Sequence, residues 1–135
     1  MREIIFRGKR VDNGSWVYGF YQHTVYNKAY QNQFNITKES AHHIYPAHID
    51  SNPKEVYPET VGQFTGLTDK NGDKIFEGDI LGMPEHPREK WSGKVYYKEG
   101  GFYITPNGAE SSLNSYRSGR SVIIGNIHES LTPNK

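Results

Sequence analysis

Thr65-Gly66-Leu67-Thr68-Asp69-Lys70-Asn71-Gly72-Asp73-Lys74-Ile75-Phe76-Glu77-Gly78-Asp79-Ile80-Leu81-Gly82 decides the fold. Asn71-Gly72 is a strong hairpin signal, because both residue types tolerate positive φ. Gly72 is expected in that region. Gly66 and Glu77-Gly78 read as further turn positions, and Ile75-Phe76 between them is only a short apolar step. Asp79-Ile80-Leu81-Gly82 then opens another strand. Short strands with a turn at intervals of about ten residues argue for a β-barrel or sandwich.

The same pattern continues outward. Upstream, Ile4, Phe6 and Gly8 alternate with Ile5, Arg7 and Lys9, the period of a half-buried strand. Asp12-Asn13-Gly14-Ser15 is a turn, and Trp16, Tyr18 and Phe20 share one face of the return strand. Residues 3–22 therefore read as a hairpin. Between 23 and 60, Pro46, Pro53 and Pro58 break any long helix. Tyr26, Tyr30, Phe34 and Ile36 suggest one or two short strands. Downstream, residues 83–93 read as an exposed loop, and a third hairpin turns at Glu99-Gly100-Gly101. Residues 111–118 have room for one helical turn. The last strand spans 121–127, with Val122-Ile123-Ile124 as a buried run and Gly125 as a structural glycine.

At 135 residues and 15.5 kDa, two large domains are excluded. Leu, Ile, Val and Phe make up only about a fifth of the chain. Eighteen aromatic side chains, ten of them Tyr, compensate, since each ring buries more area than an aliphatic side chain. Sixteen basic and fifteen acidic groups leave a net charge of +1, which supplies none of the excess that phosphate-binding domains collect. The absence of cysteine removes disulfides and thiolate chemistry. The N-terminus lacks a signal-peptide pattern, and no apolar run reaches the roughly 18 residues of a membrane span. A soluble, cytoplasmic protein is expected.

Three stretches together carry a family resemblance. Pro58-Glu59-Thr60-Val61-Gly62-Gln63-Phe64-Thr65-Gly66-Leu67-Thr68-Asp69-Lys70-Asn71-Gly72, followed by Ile75-Phe76-Glu77-Gly78-Asp79-Ile80, resembles the central motif of the YopX family of small bacteriophage and prophage proteins. Arg2 to Arg10 with Trp16-Val17-Tyr18-Gly19, and Ile124-Gly125-Asn126-Ile127-His128-Glu129, resemble its two ends. The resemblance implies a mainly β fold and a phage setting. It implies no catalytic residues, because the matching positions are turn glycines and core aromatics.

The candidate chemistry is thin. His42, His43 and His48 with Asp50 form the densest ligand cluster, of a type that suits zinc or nickel. Neighbouring His42 and His43 point to opposite faces of a strand, so only one can join His48, and a further ligand must come from elsewhere, such as His23 or His128. Solvated loop histidines explain the same residues. Asp69 and Asp73, and Glu77 and Asp79, are pairs of the kind used in acid–base work. Their place in tight turns is equally explained by carboxylates accepting local backbone N–H bonds. Tyr18, Tyr21, Tyr26, Lys28 and Tyr30 are the candidate interaction residues. Rings interleaved with a cation can stack single-stranded bases, or form a core or a subunit interface.

The expectation is a single mainly β chain with little helix. Residues 1–60 carry the N-terminal hairpin and variable loops. Residues 61–135 form a small SH3-like barrel with Ile80, Val95, Tyr97, Phe102, Ile104, Ile123 and Ile127 in its core. Asn13, Gly14, Gly66, Asn71, Gly72, Gly78 and Gly125 serve structure. The expected role is non-enzymatic, without a cofactor, through contact with a phage or host protein or with a second copy of the chain. A single-stranded nucleic-acid binder and a metal-dependent hydrolase are the alternatives.

Overall fold

The computed structural model describes residues 3–46, 52–86, 88, 91–105 and 109–129. His48 and Asp50 of the histidine cluster lie outside them. The fold is mainly β, as the turn spacing predicts. It divides into two compact units, Ile4–Val61 and, together with Glu3, the described residues from Gly62 onward.

The first unit starts with the expected hairpin. β1 (Phe6–Lys9) pairs antiparallel with β2 (Trp16–Val25), Phe6 opposite Gly19 and Lys9 opposite Trp16. Asn13 Oδ1 accepts from both the backbone N–H and the hydroxyl of Ser15, and Gly14 sits at φ 74°. β3 (Ser40–Pro46) pairs along β2, and β4 (Lys54–Glu55) edges β3. Ile44 and Val56 are buried. Gly8 leaves room for Val56, since a Cβ at Gly8 would lie 3.1 Å from it.

Residues 26–36 are a correction. They form not strands but α1 (Lys28–Phe34). Asn27 caps its N-terminus by accepting from the Tyr30 N–H at 2.8 Å, and Asn35 closes it in the left-handed region at φ 56°. Tyr26, Tyr30 and Phe34 recur every four residues, which is helical spacing. With Pro46 as the next proline, nothing in 26–36 forbids a helix.

The second unit holds the hairpin of β5 (Gly62–Thr68) and β6 (Lys74–Phe76). It also holds a five-stranded antiparallel sheet of β7 (Asp79–Gly82), β8 (Ser92–Lys98), β9 (Gly101–Ile104), β10 (Ser111–Ser112) and β11 (Val122–Asn126). The sheet order is β10-β9-β8-β7-β11. β10 and β11 stand at its two edges, so the expected barrel is not closed. The expected helical turn is α2 (Ser115–Ser118). Buried Ile75, Leu81, Val95 and Ile104 form the core, with Trp91, Leu113 and Ile123 packed against it. Leu81 rather than Ile80 is central, and Tyr97 is exposed. The Val122-Ile123-Ile124 run is also corrected. β11 shifts register between Ile123 and Gly125, and Ile124 is left half exposed. Gly66 and Gly125 therefore lie within strands, at register shifts, and not in turns.

The turn chemistry divides by residue. Gly72 and Gly78 take φ 86° and 95°, while Asn71 stays at negative φ. The turn with two positive φ values is Glu99-Gly100 (48° and 88°), the two-residue loop joining β8 to β9. Gly72 has open space around its missing Cβ, so a substitution there meets only backbone strain. Gly72→Val is expected to cost about 1 kcal/mol or more. A thermal melt checks this, and a wild-type melting temperature contradicts it.

Candidate functional site

The aromatic residues of the first unit are distributed by strand parity. Tyr18 and Phe20 share one face of β2, and Phe20 pairs across the ladder with Tyr45. All three are exposed, Phe20 by 63%. Trp16 shares that parity but is half buried, with the Arg7 guanidinium 4.5 Å and Lys9 Nζ 5.5 Å from its ring centre. Arg7 itself is buried. Trp16 thus belongs to a cation–π cluster of the hairpin.

Tyr21 points to the other face. Its ring lies 5.5 Å from Phe6 and 5.9 Å from His42, and its hydroxyl is 2.6 Å from His42 Nδ1. His42 stacks in turn on His23, its cross-strand neighbour, at 4.2 Å. Burial, then the adjacent His23 and His43 side chains, hold His42 below the ordinary imidazole value, against the pull of Glu55. Burial also raises the Tyr21 phenol. One hydrogen bond thus joins the Tyr21 hydroxyl to His42 Nδ1, its direction set by the imidazole tautomer. His23 and His42 meet ring on ring, a stacking contact and not a ligand pair. Among the described residues no three His, Cys, Asp or Glu side chains gather around a metal-sized space.

The third aromatic group is on α1. Tyr26, Tyr30 and Phe34 form a ladder, with centroid spacings of 5.5 and 4.7 Å. No residue of α1 is buried, and Lys28 opens it on the surface. The candidate interaction residues thus fall on three surfaces: Tyr18 on one sheet face, Tyr21 on the other, and Tyr26, Lys28 and Tyr30 on or beside the helix. Phe20, Phe34 and Tyr45 were missed. The i, i+4, i+8 ring spacing was the available signal for Phe34.

The carboxylates sit where turn chemistry puts them. Asp69 Oδ1 accepts from the Asn71 and Asp73 N–H groups at 2.9 and 3.0 Å, and Oδ2 accepts from the Ile123 N–H at 3.0 Å. Buried Asp79 accepts from the Phe76 N–H at 2.7 Å. A surface group was also missed. Tyr96 donates to Glu110, and Lys98 lies 3.3 Å from the same carboxylate. That hydrogen bond pushes the Tyr96 phenol up to about 12 and, with Lys98, holds Glu110 below the usual carboxylate range. A phenol so raised stays protonated and serves as a donor, not a base.

The model of the YopX protein family matches residues 5–132. The chain belongs to the YopX family. No curated protein matches this YopX chain. Among solved structures, it resembles the crystal structure of protein EF1440 from Enterococcus faecalis. The TM-score is 0.51 and the identity 21%, over 96% of each chain. At that identity the likeness concerns the fold alone. In the YopX chain no helix among the described residues is long and apolar enough to cross a membrane.

Proposed function

We propose that this YopX protein works without catalysis, as a contact protein whose N-terminal unit docks on a second copy of itself. One observation carries the reading. Among the described residues twelve large apolar side chains are exposed, and nine of them lie in Ile4–Val61. Within this set Tyr18, Phe20 and Tyr45 share one sheet face, an exposed apolar group of the kind that marks an interaction site, where Tyr and Phe are enriched. A net charge of +1 opposes self-association only weakly. A phage setting is part of the same proposal, on the family resemblance, and a phage or host protein is the alternative occupant of the same rings.

Single-stranded nucleic acid is the second reading, favoured by Arg7 and Lys9 beside Trp16. It has less support, because Arg7 is buried and its charge faces the Trp16 ring.

Light scattering across micromolar concentrations tests self-association. The wild type is expected above monomer mass. Phe20→Glu and Tyr30→Glu are each expected to weaken association at least tenfold, about 1.4 kcal/mol, with the melting temperature unchanged. Trp16→Ala should instead lower stability, since it dismantles the cation–π cluster. A clean monomer mass for the wild type sinks the self-association reading. Nucleic acid retained through purification would favour the second.

A further inference from the structure

A cleft of about 440 Å³ opens in the second unit, where three loops meet. Its size is that of a small-molecule site. Lys70, from the β5–β6 turn, and Arg120, from the α2–β11 junction, both line it. Their elements are fastened together: the Lys70 N–H donates to the Ser121 carbonyl at 2.8 Å, and Asp69 Oδ2 accepts from Ile123. Arg120 is held further by its hydrogen bond to the Tyr116 hydroxyl at 2.6 Å and by its seat over that ring, at 5.0 Å. Two basic residues from separate elements therefore line one cleft.

His86 also lines the cleft, and its Nδ1 accepts from the Arg88 N–H at 3.0 Å. The wall between these groups is apolar, with Met83, Pro84 and Val122. Glu85 is the one acidic side chain of the lining.

We propose that this cleft binds a phosphate monoester of a small hydroxylated molecule, of nucleoside-monophosphate class. Lys70 and Arg120 are two cations on separate loops, and two positive charges match a doubly charged phosphate monoester better than a singly charged carboxylate. Met83, Pro84 and Val122 offer contact area to an apolar or aromatic body, and Glu85 accepts from a hydroxyl. The site is independent of the aromatic surfaces of the first unit.

Titration calorimetry on the full chain tests it, with AMP, UMP, inorganic phosphate and adenosine as probes. At least one monophosphate is expected to bind saturably, at least tenfold more tightly than inorganic phosphate, and adenosine is expected to bind more weakly than either. Lys70→Met and Arg120→Met should each weaken the monophosphate at least tenfold. Arg120→Lys, which keeps the charge and loses the fork, should fall between. If Arg120→Met melts lower than wild type, Lys70→Met carries the test alone, because only the Lys70 backbone is tied into the fold. The proposal is overturned by no saturable binding of either monophosphate up to about 10 mM. Binding that survives Lys70→Met, or binding confined to a polyanionic oligonucleotide, overturns it too.

Discussion

Leu81→Ala is expected to destabilise the protein by about 2–5 kcal/mol. Leu81 has no exposed surface and sits in the core cluster with Ile75, Val95 and Ile104. Its strand, β7, lies between β8 and β11, with Gly93 and Ile123 opposite Leu81 in register. The neighbours of a truncated side chain are thus held by two ladders and have little freedom to close the gap. The cost is then the transfer term for the lost methyl groups together with most of the cavity term. Against a total of about 5–15 kcal/mol for a domain this is a large share. Urea titration should show a lower midpoint at an unchanged slope. Leu81→Met, which keeps the volume, should lose less than about 1.5 kcal/mol. A Leu81→Ala midpoint close to wild type would mean that the second unit is not organised around this cluster.

Asp69→Ala comes next, at about 2–3 kcal/mol. Three backbone N–H groups converge on this buried carboxylate. Hydrogen bonds to a charged group contribute about 1.5–3 kcal/mol each. The sum is not reached, because Asn71 and Asp73 are exposed and water can take over their N–H groups. Ile123 N–H is half buried and recovers less. Asp69→Asn separates the two roles. It keeps one acceptor oxygen but turns an NH₂ donor toward the N–H groups on the other side, so it should recover only part of the loss. Amide hydrogen exchange reads the effect by residue: protection of Ile123 should fall in both variants. Unchanged exchange at Ile123 would show that the carboxylate does not tie the turn to β11.

The two substitutions differ in how far the chain announces them. Asp69 was legible as a turn carboxylate, because an Asp two residues before Asn-Gly makes its bonds within a few residues. Its third bond, to the Ile123 N–H, was not legible, since it joins positions 54 apart. Leu81 was placed in a strand but not in the core, because parity within a four-residue strand is set by its partners. β7 could have faced either way until β8 and β11 fixed the register.

By itself the sequence determined the mainly β class, the hairpin at Asn13-Gly14, the turn at Gly72 and the family, since these rest on backbone preferences and motifs within a few tens of residues. The helix at residues 28–34 was also written locally, in two Asn caps and a four-residue ring spacing, beneath a strand-like composition. Tertiary structure decided the rest. It left the C-terminal sheet open, because closure depends on whether its two edges meet, and strand length does not set that. It exposed Tyr18 and Phe20 while half burying Trp16 on the same strand face, through the placement of Arg7 beneath the indole. It also assembled the Lys70–His86–Arg120 cleft from three loops spanning some fifty positions of the chain. Local sequence records what each residue tolerates, whereas burial and convergence depend on which distant segments come to lie beside it.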